Sequence, residues 1–309
     1  MTATRTLRIG TRASTLARTQ TDAVARHLDA PVEIVPIVTQ GDQSAAALAQ
    51  IGGTGVFVSA LRTALVDRRI DVAVHSYKDL PTLPFEAVTI AAVPPREDPR
   101  DALVARDGLI LAELPPGSRV GTGSPRRAAQ LGALGLGLRV VDLRGNVDTR
   151  LRRVQEGELD AVVLAYAGLR RLGRDDAVSE ILDPLQMLPA PAQGALAVEC
   201  RADDSPVVEA LSRLDDADSR TAVAAERALL RALEAGCSAP VGALAVVAEG
   251  DSPSAGLEVF LRASVTAVDG SAAVRLSATG PTTDAEEVGR RLGAELIADG
   301  ADTMMGSSK

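Results

Sequence analysis

The sequence of 309 residues contains few aromatic side chains and almost no lysine. Aromatic residues make up 2% of the chain, and tryptophan is absent. Proteins that bind single-stranded nucleic acid stack its bases on aromatic rings, and general polyanion binders are basic, whereas this chain has a net charge of −8. We therefore expect no nucleic-acid partner. Of the 33 basic residues only Lys78 and Lys309 are lysines, which draws attention to the internal pair Lys78–Asp79.

Cysteine and histidine are also rare, with two of each in the chain. Two thiols do not form a disulfide framework. A four-ligand zinc site would need all four side chains to converge, so we expect no metal. No apolar run approaches the length of about 20 residues that spans a bilayer, and Met1 to Gly10 lacks the apolar core of a signal peptide. The sequence predicts a cytoplasmic protein with no membrane partner.

Strand and helix patterns alternate along most of the chain, which predicts an α/β fold with open, mainly parallel sheets. Two breaks divide the chain: residues 94–99 are rich in proline and charged residues, and residues 188–194 contain proline and glycine. The segment Arg8–Thr11 is echoed by Arg119–Thr122. We expect two similar α/β lobes of the periplasmic-binding-protein type with a hinged cleft, and a small C-terminal α+β domain with a three-stranded antiparallel sheet. The predicted boundaries are 1–95 with 194–216 for lobe 1, 100–189 for lobe 2 and 217–309 for the C-terminal domain.

Three junctions between a strand and a helix carry the features of an anion site. The segment Gly121–Arg127 places two hydroxyls and two arginines at a helix N-terminus, where free N–H groups and the helix dipole favour negative charge. Gly10–Ser14 repeats this design, and Leu143–Arg150 adds two more arginines. Ser14 and Ser124 are predicted to be helix N-caps. The window 119–153 holds eight arginines and two aspartates, a local charge of +6, which taken alone is also typical of a solvated basic face. Because no Walker loop or full dinucleotide glycine pattern is present, the expected ligand carries several carboxylates.

Two further residues have both a chemical and an inert interpretation. Asp79 follows a buried strand, and it either faces a cationic intermediate or caps the turn before Pro81 and pairs with Lys78. Cys237 stands in a turn of small residues and is easier to reach than Cys200, which alternates with apolar residues and is predicted to be a buried sheet thiol. Spacing alone leaves an inert Cys237 open.

Taken together, these segments resemble the porphobilinogen deaminase family, also called the hydroxymethylbilane synthases. The matching motifs occur in family order from about residue 6 to 242. They are Arg8–Arg12, Val74–Ser76 with Lys78 and Asp79, Gly121 and Thr122 with Ser124, Arg126 and Arg127, Leu143–Val147 with Thr149 and Arg150, Ala167–Leu169 with Arg171–Gly173, Gln193–Ala195, and Gly236 and Cys237 with Pro240.

The resemblance implies a transferase of haem and tetrapyrrole biosynthesis. Such an enzyme condenses four porphobilinogen molecules head to tail, with loss of ammonia, and releases hydroxymethylbilane by hydrolysis. The resemblance also implies a monomer with one covalent dipyrromethane cofactor on Cys237, and Asp79 as a buried catalytic carboxylate facing the cation that ammonia loss creates. The residues implied to hold the acetate and propionate groups of cofactor and substrate are Arg12, Ser14, Lys78, Thr122, Ser124, Arg126, Arg127, Arg144, Arg150, Arg171 and Gln193.

The chain departs from the family pattern at a few positions. The loop Gln50–Gly55 lacks the lysines that many family members carry there, and Tyr77 and Ala192 stand where methionine and glycine are common. The main alternative is a non-catalytic, two-lobed protein that binds a polyanion or a carboxylate ligand, which would need the arginines but neither Cys237 nor Asp79. An arginine-rich nucleic-acid module is a second alternative, and the net charge and scarce aromatics disfavour it.

Overall fold

The computed structural model describes residues 5–37, 55–236, 239–250 and 256–305, and for residues 55–57 it describes the backbone alone. Within these ranges the chain forms thirteen strands and nine α-helices. The strands are β1 (Leu7–Thr11), β2 (Val32–Pro36), β3 (Val72–Ser76), β4 (Val88–Ala92), β5 (Asp101–Ala105), β6 (Arg119–Gly121), β7 (Arg139–Val141), β8 (Ala161–Ala165), β9 (Glu180–Ile181), β10 (Leu196–Arg201), β11 (Val241–Glu249), β12 (Leu257–Thr266) and β13 (Ala273–Pro281). The α-helices are α1 (Thr15–Ala25), α2 (Gly55–Val66), α3 (Pro125–Ala133), α4 (Val147–Gln155), α5 (Tyr166–Arg171), α6 (Ser205–Ser212), α7 (Ala217–Ala232), α8 (Ala285–Ala298) and α9 (Ala301–Met304).

The chain divides into two compact units. Unit 1 comprises residues 1–96 and 195–220, and unit 2 comprises residues 97–194 and 221–309. The three-domain division expected from the sequence stays a prediction. Among the described residues, no helix is both long enough and apolar enough to cross a membrane.

Unit 1 is built on a five-stranded sheet in the order β2-β1-β3-β10-β4. β1 pairs in parallel with β2 and β3, whereas β10 runs antiparallel to both β3 and β4. Alternate side chains point to opposite faces of a strand. One face packs Leu7, Ile9 and Val74 against α1 and α6, and the other packs Ala73 against Leu61, Ala64 and Leu65 of α2. Both faces are therefore covered by helices.

Unit 2 contains a sheet of the same design, in the order β7-β6-β8-β5-β9. β6 pairs in parallel with β7 and β8, and β5 runs antiparallel to β8 and β9. The repeated order confirms the predicted pair of similar α/β lobes, with the echoed segments in equivalent strands β1 and β6. In each sheet four strands share one direction. The remaining strand, β10 in the first sheet and β5 in the second, runs the opposite way, so the sheets are mixed.

The C-terminal part of unit 2 is a three-stranded antiparallel sheet, β11-β12-β13, as the sequence predicted. Its core joins Val259, Leu261 and Val265 of β12 to Leu229 of α7 and Leu292 of α8. The two helices approach closely at Gly289, because a Cβ atom there would overlap the carbonyl oxygen of Ala225. This contact explains why a glycine occupies the middle of a helix.

Candidate active site

Asp79 lies at a small pocket in unit 1. β3 ends at Ser76, and the next three residues form a 3₁₀ turn that ends at Asp79. The pocket has a volume of about 100 Å³, and Arg12, Ser14, Gln20, Ser76 and Asp79 are among its lining residues. The structure thus brings together three residues predicted from separate motifs, namely Arg12, Ser14 and Asp79.

The exposure of Asp79 corrects the expectation of a buried carboxylate. Within this turn Tyr77 and Leu80 are buried, and Asp79 is exposed. Lys78 is half-buried. The apolar side chains of the turn therefore pack into the core, and the carboxylate of Asp79 lies at the surface beside the pocket.

The pocket wall is built by the first turn of α1 and the end of β3. Ser14 is the N-cap of α1, and its hydroxyl accepts a hydrogen bond from the backbone N–H of Ala17 at 3.3 Å. This cap was predicted from the sequence. Gln20, on the next turns of the helix, donates from its amide to the Ser76 hydroxyl at 3.0 Å. The helix N-terminus is thereby fixed beside the strand end that leads to Asp79.

A buried ion-pair network holds the other face of β3. Glu199 of β10 accepts hydrogen bonds from the Arg62 guanidinium at 2.7 and 3.2 Å, and the His75 Nε2 atom lies 3.2 Å from its Oε2 atom. Burial alone would raise the pKa of Glu199, but its contacts with His75 and Arg62 lower the pKa to about 2. Sequence reasoning missed this network, although a glutamate inside an apolar strand pattern was a usable signal.

In unit 2, Thr122 and Ser124 form the start of α3 as predicted. Ser124 is the N-cap, and its hydroxyl accepts from the backbone N–H of Arg127 at 3.4 Å. The Thr122 hydroxyl accepts from the backbone N–H of Ser124 at 3.2 Å. Thr122 is buried, and Ser124 is half-buried. Both hydroxyls thus order the loop that precedes the helix.

The positive charges of two other arginines of unit 2 act on Arg150. Burial lowers the pKa of Arg150, and the charges of Arg127 and Arg144 lower it further. The Arg150 Nε atom donates to the carbonyl oxygen of Gly145 at 2.8 Å, which holds the side chain at the start of α4. Arg144 is exposed, 3.5 Å from the carboxylate of Asp142. An anion placed among these three guanidiniums would relieve their repulsion.

Arg126 and Arg127 are buried against a carboxylate that the sequence analysis did not identify. Both guanidiniums form ion pairs with Asp101, the first residue of β5, at 2.8 and 2.7 Å. The amide of Gln193 donates to the same carboxylate at 2.8 Å. Arg171 is half-buried and donates to the carbonyl oxygen of Gly194 at 2.7 Å. The predicted carboxylate-binding roles of these residues stay predictions.

The structure describes Cys200 but not Cys237. Cys200 lies fully buried in β10, which confirms the predicted sheet thiol. Burial raises its pKa to about 11, so the thiolate is scarce at neutral pH. Cys237 and the lysine-free loop Gln50–Gly55 fall outside the described residues, apart from the backbone of Gly55.

The fold and these clusters define the class of the protein: an α/β protein with cationic strand ends suited to a ligand with several carboxylates. Two family models match the sequence. Porphobilinogen deaminase, dipyromethane cofactor binding domain, matches residues 7–209, and Porphobilinogen deaminase, C-terminal domain, matches residues 220–298. The chain belongs to the porphobilinogen deaminase family.

Curated relatives agree with this family over nearly the whole chain. The chain is 59% identical over 304 residues to a porphobilinogen deaminase of Nocardia farcinica, which covers 97% of this chain and 88% of that protein. It is 58% identical over 304 residues to that of Mycobacterium marinum, with coverage of 97% and 96%. The identity to the Mycolicibacterium paratuberculosis protein is 56% over 308 residues, with coverage of 98% of each chain.

Some solved structures are more distantly similar. A putative methionine-binding lipoprotein from Bacillus subtilis matches with a TM-score of 0.41 and 13% identity, covering 68% of this chain and 89% of that one. A putative periplasmic sulfonate-binding protein from Methylobacillus flagellatus matches with a TM-score of 0.39 and 14% identity, covering 76% and 69%. These low similarities carry no functional argument.

Family membership makes the chain a transferase of tetrapyrrole biosynthesis, with porphobilinogen as substrate and dipyrromethane as cofactor. The non-catalytic alternative is therefore set aside. Dipyrromethane joins two pyrroles that each bear an acetate and a propionate, so it is a compact tetra-anion. The positive charges that Arg127 and Arg144 exert on Arg150 fit such a group, because guanidinium groups bind carboxylates bidentately.

Proposed function

We propose that this chain condenses four porphobilinogen molecules head to tail on a dipyrromethane primer held by Cys237, and that Asp79 is the catalytic carboxylate. One observation carries the proposal for Asp79: its carboxylate shares a pocket with Arg12 and Ser14. The carboxylate of Asp79 can face a cation. The guanidinium of Arg12 and the N-terminus of α1 can donate hydrogen bonds to an anion. Porphobilinogen needs both, because its arms are anionic and its ring becomes cationic during reaction.

The role of Asp79 follows from the chemistry of the substrate. Condensation breaks the bond between the aminomethyl carbon and its nitrogen, so ammonia leaves and positive charge spreads over the pyrrole of porphobilinogen. The carboxylate of Asp79 stabilises that charge and accepts the proton released when the new carbon–carbon bond forms. When bound, dipyrromethane supplies the terminal pyrrole carbon to which the first substrate is joined. Hydrolysis finally frees the linear product, hydroxymethylbilane.

The remaining predicted residues would bind carboxylates or order the groups that do. In unit 1 we assign carboxylate binding to Arg12, Ser14 and Lys78. In unit 2 the proposed carboxylate-binding residues are Thr122, Ser124, Arg127, Arg144, Arg150 and Arg171. Arg126 and Gln193 are engaged by Asp101, which supports an indirect contribution through that carboxylate.

Attachment to Cys237 is supported by the state of the other cysteine. Cys200 is buried, with a pKa raised to about 11, and a thiol in that state is a poor nucleophile at neutral pH. That leaves Cys237 as the candidate for the thioether. A cytoplasmic location, a monomeric state and the absence of nucleic-acid and membrane partners remain predictions, and the net charge of −8 favours the absence of nucleic acid.

The substitution Asp79→Asn tests the catalytic assignment. It keeps the shape of the side chain and removes its charge, so we expect turnover of porphobilinogen to fall by roughly 100-fold or more, while the intact mass still shows the two-pyrrole adduct. Asp67→Asn is a matched control, since Asp67 is an exposed aspartate of unit 1 that lies 3.7 Å from Arg69. Turnover of Asp79→Asn within a few-fold of the control would remove Asp79 from this role.

A further inference from the structure

Asp101 is a completely buried carboxylate in unit 2, and four donor atoms converge on it. Its side chain is 0% exposed. One oxygen accepts from the Nε and Nη2 atoms of Arg127 at 3.0 and 2.7 Å and from the Gln193 amide at 2.8 Å. The other accepts from the Nη2 atom of Arg126 at 2.8 Å. A carboxylate has room for about four such donors, so the acceptor capacity of Asp101 is filled.

The charge balance of this network fixes Asp101 in its ionised form. Burial alone would raise the pKa of Asp101, but the charges of Arg126 and Arg127 and the hydrogen bonds from Arg127 and Gln193 hold it well below the usual range. One negative and two positive charges leave the buried group with a net charge of +1. Removing the carboxylate would leave two buried guanidiniums without a counter-ion.

The two arginines have different surroundings, although they are neighbours in the sequence. The Nη1 atom of Arg126 donates a hydrogen bond to the carbonyl oxygen of Leu188, at the start of the segment that leads to Gln193. The Nη1 atom of Arg127 donates a hydrogen bond to the carbonyl oxygen of Val163 in β8. The charge of Arg127 also lowers the pKa of Arg150. Arg127 therefore acts on the charge of Arg150, whereas Arg126 supports the segment that begins at Leu188.

We propose that Asp101 is a positioning residue for dipyrromethane binding: it holds the guanidinium of Arg127 in one orientation at the start of α3. This inference rests on the proposed function, in which Arg127 binds a carboxylate. A free arginine side chain samples many rotamers and loses that freedom on binding a ligand. Contacts from Asp101 to two atoms of Arg127 set its orientation before the ligand arrives. The same carboxylate ties the first turn of α3 to Gln193.

Asp101→Asn tests this inference, with Asp160→Asn as the matched control. Asp160 is also a buried aspartate of unit 2 that pairs with two arginines, Arg106 and Arg119. Asp160 comes directly before the first residue of β8, whereas Asp101 pairs with Ala165 at the last residue of β8, so the two aspartates lie at opposite ends of that strand. Asp101→Asn should lower the temperature of thermal unfolding more than Asp160→Asn, because Arg126 and Arg127 are buried whereas Arg106 and Arg119 are partly exposed, so both variants are compared as purified, folded chain.

The discriminating measurement is the fraction of purified, folded chain that carries the two-pyrrole adduct, read by intact mass under denaturing conditions. We expect Asp101→Asn to lower that fraction at least tenfold and Asp160→Asn to leave it within twofold of the unsubstituted chain. A folded Asp101→Asn chain with a full adduct would show that Asp101 serves stability alone and would overturn the inference.

A second pair of variants covers the case in which Asp101→Asn does not fold. Asp101→Glu keeps the negative charge that the buried arginines need and displaces the carboxylate by one methylene group, and Asp160→Glu is its control. We expect the adduct fraction to fall at least threefold in Asp101→Glu alone, and equal adduct fractions in the two variants would overturn the inference. An unsubstituted chain without any adduct would instead contradict the proposed function, whatever the Asp101 variants show.

Discussion

Glu199 is a buried carboxylate whose charge depends on two neighbours, His75 and Arg62. Its pKa falls from 4.5 to about 2 on folding, so its contribution to stability is complete above pH 4.5 and is lost as the pH falls toward 2. The difference between these two pKa values corresponds to a stabilisation of the folded chain by about 3 kcal/mol at pH 7 and about 1 kcal/mol at pH 3. We therefore expect Glu199→Gln to destabilise unit 1 by about those amounts in urea unfolding at the two pH values.

The exposed residue Glu86 provides the comparison for Glu199. Glu86→Gln should change the free energy of unfolding by less than about 0.5 kcal/mol at either pH. A loss in Glu199→Gln that is as large at pH 3 as at pH 7 would mean that the stabilisation does not come from the ionised carboxylate.

Single residues were predictable from the sequence when their partners were local. Ser14 and Ser124 are predictable as N-caps, because the partner of each hydroxyl is a backbone N–H group only three residues further on. Asp101 and Glu199 were missed because their partners are distant: Arg126 is 25 residues from Asp101, and Arg62 is 137 residues from Glu199. No local pattern shows which acid will neutralise a buried arginine.

At the scale of elements, α7 and α8 depend on a glycine contact. Gly289→Ala places a Cβ atom against the carbonyl oxygen of Ala225, which belongs to a helix backbone and cannot move aside easily. We expect a loss of about 2 kcal/mol in the free energy of unfolding of unit 2, measured by urea denaturation.

Another helical glycine, Gly132 of α3, tests whether steric overlap is the cause. The nearest atom to a Cβ atom at Gly132 is the carbonyl oxygen of Asp269 at 3.4 Å. Gly132→Ala should be neutral or stabilising by up to about 1 kcal/mol, because alanine favours the helix. Equal losses in the two variants would argue against helix contact at Gly289.

Two short helices have no clear signal in the sequence. α5 and α6 have six and eight residues, which is too short for a helical period to show clearly. The amphipathic pattern of residues 15–28 predicts a helix that continues to Leu28, whereas α1 ends at Ala25. The His27 ring lies 2.8 Å from the carbonyl oxygen of Ala23, the group that a continued helix would bond to the backbone N–H of His27.

At the scale of the whole molecule, the repeated sheet order is the feature that the sequence indicated only weakly. The echo of Arg8–Thr11 in Arg119–Thr122 predicted two similar lobes, and these segments do form equivalent strands. The sequence does not predict that β10 and β5 run antiparallel to their neighbours, because the direction of a strand depends on the path by which the chain enters the sheet. Family membership extends over both units, since the two matched domains cover 7–209 and 220–298.

Intact mass under denaturing conditions tests the central claim, a dipyrromethane carried on Cys237, most directly. We predict that the chain from a normally growing host exceeds its sequence mass by two linked pyrroles. The excess should be absent from Cys237→Ala and present in Cys200→Ala, because Cys200 is a buried thiol of β10. An unmodified chain, or an adduct that persists in Cys237→Ala, would contradict the account.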